Sequence, residues 1–140
     1  HLYYSVKTNF SDEVLQTIKE NQSGYEIVSI FEWELIKKFK PEILVLNGPG
    51  KSKDFIEDIL RKVEIMYFNV DNDTDIEILK KLSSFYLRKI KIGLRVYLPK
   101  EGIWTRFGYD ILSDDFKNKI KTINSISKLD GNHYQISTNK

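Results

Sequence analysis

The chain contains no cysteine. That excludes disulfides, thiolate metal sites and a cysteine nucleophile. Histidine is almost as scarce: only His1 and His133 are present. A metal site is therefore not expected, and His133 reads by default as a satisfied strand histidine. No sign of charge dominates, since 22 basic side chains meet 20 acidic ones for a net +2. The lysines are scattered through helical stretches as solvated faces, so nucleic acid is not an expected partner. No apolar run approaches the roughly 18 residues of a membrane span. The chain opens directly on an apolar strand pattern, so neither a signal peptide nor a membrane is expected, and the reading is cytoplasmic. Internal repeats and low-complexity tracts are missing as well.

What remains is a 140-residue chain, 41% hydrophobic and 30% charged, of the size and composition of one globular domain. Short apolar runs, the pattern of strands buried on both faces, fall at Leu2–Val6, Tyr25–Val28, Ile43–Leu46, Ile65–Val70, Ile90–Tyr97 and His133–Ser137. Amphipathic stretches at Asp12–Glu20, Ile30–Phe39, Lys53–Lys62, Asp75–Tyr86 and Asp114–Asn124 alternate with them as helices. Ser11, Ser52, Thr74 and Ser113 stand at N-cap positions, Thr74-Asp75-Ile76-Glu77 fits a capping box, and Pro41 helps stop the second helix. Strict alternation predicts an α/β fold with a parallel sheet and right-handed crossovers. Periodicity leaves open whether the sheet is doubly wound or part of a (β/α)8 barrel. A whole barrel needs about 250 residues. Both ends of the chain fall in strand patterns, so the expectation is a cut through a larger fold.

In α/β folds, chemistry collects at the carboxyl ends of the strands. Those ends read Lys7; Ser29 with Glu32; Asn47-Gly48; Asp71; Arg95; and Gln135 to Thr138. Each has an ordinary reading beside a functional one. Lys7 is either an exposed strand-end lysine or an amine placed for chemistry, since a desolvated lysine can form a Schiff base. Glu32 is either a first-turn helix acid or a site carboxylate. Gly50-Lys51-Ser52 ends like a phosphate-binding loop, but Val45 stands where that loop needs glycine. Asp71, Asp73 and Asp75 are spaced like a calcium loop, but Ile76 and Leu82 replace its glycine and closing glutamate. They read instead as a polar loop with helix-capping acids. Trp33 and Trp104 read as packing residues.

Taken together, the segments resemble one family in order. Tyr4-Ser5-Val6-Lys7-Thr8-Asn9 is similar to the Tyr-Ala-(Val/Leu)-Lys-Ala-Asn motif of the fold-type III pyridoxal-phosphate decarboxylases. Gly24-Tyr25-Glu26-Ile27-Val28-Ser29 with Glu32 resembles their Asp-Val-Val-Ser-x-x-Glu-Leu segment. Asn47-Gly48-Pro49-Gly50-Lys51-Ser52 looks like their Asn-Gly-x-x-Lys-Ser turn, and Phe68-Asn69-Val70-Asp71 like Asn-Val-Asp-Ser. Leu94-Arg95-Val96 followed by Arg106-Phe107-Gly108 is similar to Leu-Arg-Val then Lys-Phe-Gly. Gly131-Asn132-His133-Tyr134-Gln135-Ile136-Ser137-Thr138 falls where they carry Gly-Leu-His-x-His-x-Gly-Ser.

The resemblance implies a partial TIM-type barrel binding pyridoxal 5'-phosphate, with about six parallel strands and five helices. Residues 1–140 would form an incomplete barrel domain, the rest of the barrel and a C-terminal β-domain lying outside the chain. It implies decarboxylation of a small basic or dicarboxylic amino acid (diaminopimelate, ornithine, arginine or carboxynorspermidine) through an internal aldimine on Lys7, in lysine or polyamine biosynthesis, by a homodimer. Lys7 would be the catalytic residue. Lys7, Glu26, Arg95, His133, Gln135 and Thr138 would contact the cofactor, with no metal. The family's phosphate loop, its carboxylate for the pyridine nitrogen and its C-terminal catalytic residues have no counterpart here, so these residues alone would be inactive. Two positions depart from the pattern. Gln135 replaces a histidine that stacks on the cofactor ring, and Ser137 replaces a glycine. They sustain a second reading, a catalytically silent relative that uses the barrel as a protein-binding regulator. A racemase on the same barrel is a third, which the Arg106-Phe107-Gly108 and His133-to-Thr138 segments fit less well.

Overall fold

The structure is a computed structural model that describes residues 2–99 and 106–134. Seven strands are present among them: β1 (Tyr3–Ser5), β2 (Gly24–Ile27), β3 (Ile43–Leu46), β4 (Ile65–Val70), β5 (Ile90–Tyr97), β6 (Tyr109–Asp110) and β7 (Leu129–Tyr134). Six α-helices accompany them: α1 (Asp12–Glu20), α2 (Ile30–Ile36), α3 (Lys53–Lys62), α4 (Asp73–Lys80), α5 (Ser84–Leu87) and α6 (Phe116–Ile126). None is long and apolar enough to cross a membrane.

Every strand pairing is parallel, and the sheet grows in one direction: β1, β2, β3, β4, β5, then β7 beside β5. β7 pairs with β5 as far as Val96. The two-residue β6, which pairs with Val96 and Tyr97, therefore takes the other side of β5, beyond the end of β4. A doubly wound sheet would reverse its strand order at a switch point. Here no reversal occurs, and the helices pack on one face. Tyr25, Ile27, Leu44, Leu46, Met66, Phe68, Ile92 and Leu94 form one core with Leu15 of α1, Trp33 of α2, Ile59 of α3, Leu79 of α4 and Ile123 of α6. That is the layout of a (β/α)8 wall, which decides between the two architectures left open by periodicity.

Local chemistry accounts for most element ends. Ser29 and Ser52 cap α2 and α3 by accepting from the backbone N–H groups of Glu32 and Phe55. α2 continues as a 3-10 turn over Lys37–Phe39 and stops at Lys40, which adopts φ +50° before Pro41. A residue preceding proline is disfavoured in the right-handed helical region.

Several expectations need correction. Strand β1 ends at Ser5, and Val6–Thr8 turns into a 3-10 helix. The expected helix over 75–86 is two helices. It begins at Asp73 with Asn72, not Thr74, as its cap, so the Thr74 capping box is not formed. Its first part ends where Lys81 and Leu82 bond back to Ile78 and Leu79, a tightening to i→i−3 that closes the helix. α6 starts two residues later than expected because the Ser113 hydroxyl is used on the Asp110 carbonyl. β7 begins at Leu129 rather than His133, and residues 135–137 of that expected strand lie outside the described residues.

Candidate functional site

Register and alternation determine which side chains share the open face, opposite the helices. Ser5 lies opposite Glu26, Val45 opposite Tyr67, Asn69 opposite Gly93, and Arg95 opposite His133. Successive strand residues alternate faces, so Tyr25, Ile27, Leu44 and Leu46 enter the core while Glu26 and Asn47 do not. The result is a polar band across the carboxyl ends of the strands: Ser5, Glu26, Asn47, Asn69, Arg95 and His133. Below it the face is mainly apolar, with Tyr3 and Tyr67 edge to face at 5.7 Å. A cavity of about 260 Å³ there is lined by Tyr3, Val45, Tyr67, Lys91 and Asn132.

Within the band, hydrogen bonds run in one direction. Asn69 Nδ2 donates to Asn47 Oδ1 at 2.5 Å, and Asn47 Nδ2 donates to Glu26 Oε1 at 2.8 Å. Glu26 is thus held by a polarised amide chain that ends on its carboxylate. Arg95 Nη1 donates to Asp71 Oδ1 at 3.1 Å, and its guanidinium lies 5.1 Å from the centre of the Phe107 ring. His133 is largely shielded from water, and burial, with Arg95 next, pushes its imidazole below the ordinary histidine value. Its Nδ1 and the Ser5 hydroxyl are buried without a hydrogen-bond partner among the described residues. Among the described residues nothing satisfies this imidazole nitrogen, whereas the default reading has the histidine satisfied.

Lys7 lies just past the end of β1 with an exposed side chain. Its charge acts on Glu32, which is buried at the start of α2. Glu32 Oε2 accepts from the Val28 N–H at 2.6 Å while the Glu32 N–H donates to the Ser29 hydroxyl. This reciprocal cap holds the turn after β2 and explains the acid at this position. Burial raises the Glu32 carboxyl. Trp33 packs in the core and donates to Asp58 Oδ2 at 2.7 Å. Trp104, Gln135, Ser137 and Thr138 lie outside the described residues.

One group escaped sequence reasoning. The lysines are not all solvated: Lys51 and Asp75 are buried, and Lys51 Nζ meets Asp75 Oδ2 at 2.7 Å. Asp71 is buried as well, so the three acids are not simply a polar loop: Asp75 does cap its helix, accepting from the Asp71 N–H, but from a buried position, while Asp73 binds Lys119 and Tyr109 at the surface. The spacing of Asn72 and Asp75, cap and third helical residue, was the available signal. The Asn72 side chain accepts from the Asp75 N–H. Above this cluster a second cavity of about 570 Å³ opens between Asp71, Asn72, Asp73, Arg106, Phe107 and Tyr109.

The family described as "Pyridoxal-dependent decarboxylase, pyridoxal binding domain" matches residues 1–108. The chain belongs to this family. Diaminopimelate decarboxylase of Aquifex aeolicus is 33% identical over 95 residues, covering 66% of this chain and 22% of that protein. The Vibrio cholerae enzyme of the same name is also 33% identical over 95 residues, with the same coverage of both chains. A crystal structure from Aquifex aeolicus superposes with a TM-score of 0.75 at 27% identity, covering 98% of this chain and 33% of that one. Diaminopimelate decarboxylase from M. jannaschii, solved with L-lysine, shares the fold at a TM-score of 0.73 and 20% identity, over 98% of this chain and 35% of that one. The chain spans about a fifth of the length of the curated relatives it matches.

The cofactor of this domain is pyridoxal phosphate, and the residues present fit it. An aldehyde-bearing, anionic ring needs an amine, cationic or hydrogen-bonding donors and a carboxylate at one end of the sheet. Lys7, Arg95, His133 and Glu26 are groups of these kinds, and the buried Ser5 hydroxyl and His133 Nδ1, without a hydrogen-bond partner among the described residues, leave polar capacity on the same face.

Proposed function

We propose that this chain is the first part of the cofactor barrel of an amino-acid decarboxylase acting on diaminopimelate or a related basic amino acid. The observation that carries the proposal is the polar band at the carboxyl ends of β1 to β7, with Glu26 held by Asn47, and Arg95 and His133 side by side. Relatives named diaminopimelate decarboxylase support the substrate class.

Pyridoxal phosphate, when bound, supplies the electron sink for the pair released as carbon dioxide leaves. In this reading the Lys7 amine holds the cofactor. Glu26, fixed through one carboxylate oxygen by Asn47, orients groups near that amine. Arg95 brings a fixed positive charge, and His133, kept neutral by burial, lies beside it as a hydrogen-bonding partner. By their match to the family pattern, Gln135 would stand at the ring-stacking position and the Thr138 hydroxyl would serve the phosphate. The remaining barrel strands and a C-terminal domain complete the site in a homodimer.

Two measurements on the full-length protein, which supplies the remaining strands and the C-terminal domain, test this. With added pyridoxal phosphate, it is expected to show a visible absorption band that disappears in Lys7→Ala. It is also expected to release carbon dioxide from diaminopimelate, with ornithine and arginine as comparisons. A folded protein with no band would overturn the reading in favour of the silent relative that Gln135 and Ser137 keep in view.

A further inference from the structure

We propose that the buried Lys51–Asp75 ion pair is a positioning element for Arg95, acting through Asp71. It rests on the proposed function in that Arg95 belongs to the cofactor site.

The contacts form a directed chain. Lys51 Nζ donates to the Gly48 carbonyl and to Asp75 Oδ2 at 2.7 Å, and it lies 5.0 Å from the centre of the Phe68 ring. The same Asp75 oxygen accepts from the Asp71 N–H at 2.8 Å. Asp71 Oδ1 then meets Arg95 Nη1 at 3.1 Å. The side chains of Lys51, Asp75 and Asp71 are each 1% exposed, and that of Arg95 15%. The loop after β5 closes the arrangement: the Gly108 N–H donates to the Asp71 carbonyl, and a Cβ on Gly108 would stand 2.7 Å from the Arg95 carbonyl oxygen. Asp71 is therefore held through its N–H, its carbonyl and its carboxylate, and Arg95 is the one member of the chain that reaches the open face.

The Asp75 carboxylate also caps the start of α4, but that role does not call for a buried lysine beside it. Burying two charges costs stability that an apolar pair of similar volume would not. Burial pushes the Lys51 amine down and the Asp75 carboxyl up, and their mutual contact is the main influence opposing this. Charges kept under these conditions make sense as a fixed template for the charge at the end of the chain. A rigidly placed guanidinium is what a preorganised site requires.

The test uses the His133 titration in cofactor-free protein, followed by NMR. Arg95, Glu26, Asp71 and Lys51 are the charges that act on His133. Lys51→Met with Asp75→Leu also removes the direct field of Lys51 on His133, a contribution common to both Arg95 backgrounds. If the pair positions Arg95, this double variant raises the His133 midpoint by more in the wild-type background than in an Arg95→Met background. An equal shift in both backgrounds, or none in either, overturns the proposal. Should the double variant fail to fold, Asp75→Asn takes its place in the same cycle. A shift that differs between the two backgrounds then supports the proposal, and an equal one overturns it. Pyridoxal phosphate affinity is expected to fall roughly tenfold in the double variant and no further when Arg95→Met is added. If the wild-type protein binds no pyridoxal phosphate, the functional reading fails while the histidine cycle still decides this one.

Discussion

At Gly93, a Cβ would stand 1.9 Å from the Asn69 side-chain oxygen, closer than two such atoms can approach. Asn69 would have to turn away, and its bond to Asn47, one step from Glu26, would go with it. Gly131, the partner of Gly93 across β5 and β7, has open space where its Cβ would be. Gly93→Ala is therefore expected to destabilise the protein by about 1–2 kcal/mol, whereas Gly131→Ala should stay within about 0.5 kcal/mol of the parent. Urea denaturation checks both. Adding Asn69→Ala to Gly93→Ala should cost less than the sum of the two, because the clash and the bond it breaks belong to the same side chain. The polar strand ends themselves were readable from the sequence, since each follows an apolar run. Lys51 was not readable as a buried charge. Its partner Asp75 lies more than a helix away in sequence, and only the parallel register of β3 and β4 brings their loops together.

Among the elements, helix starts show what sequence patterns convey and what they miss. Ser52 and Ser11 look alike as caps. The Ser52 hydroxyl accepts from the Phe55 N–H, but Ser11 makes no side-chain cap bond, and its own N–H is taken by the Asn9 side chain. Asn72 does the work expected of Thr74. Ser52→Ala and Asn72→Ala should each lower stability by about 1 kcal/mol, while Ser11→Ala and Thr74→Ala should change it by less than about 0.5 kcal/mol. Thermal or urea unfolding of the four variants separates them. Continuous apolar strands such as Ile43–Leu46 and Ile65–Val70, and the helices Asp12–Glu20 and Lys53–Lys62, match the patterns because burial on one face or both controls their composition directly. The two-residue β6 carries no such pattern, since its pairing depends on β5 running past the end of β4.

For the molecule as a whole, the decisive property is an open sheet with all its helices on one side. Among the described residues β1 pairs only with β2, and β7 only with β5. In a closed barrel the outer edges of β1 and β7 find partners and the open face meets the strands opposite it. Without them, two strand edges present unpaired N–H and C=O groups, and a face carrying Tyr3, Val45 and Tyr67 stays in contact with water. Edges and an apolar face on the same surface favour pairing with another copy of the chain. Residues 1–140 expressed alone are therefore expected to self-associate as concentration rises, which sedimentation velocity over a tenfold range of concentration would detect. Tyr67→Glu places a charge in the middle of the open face, away from the helix-packed core, and should weaken that association without unfolding the helices. A monomer at every concentration, with a single cooperative unfolding transition, would show that the seven-stranded sheet is sufficient in itself, and the proposed incomplete barrel would have to be given up.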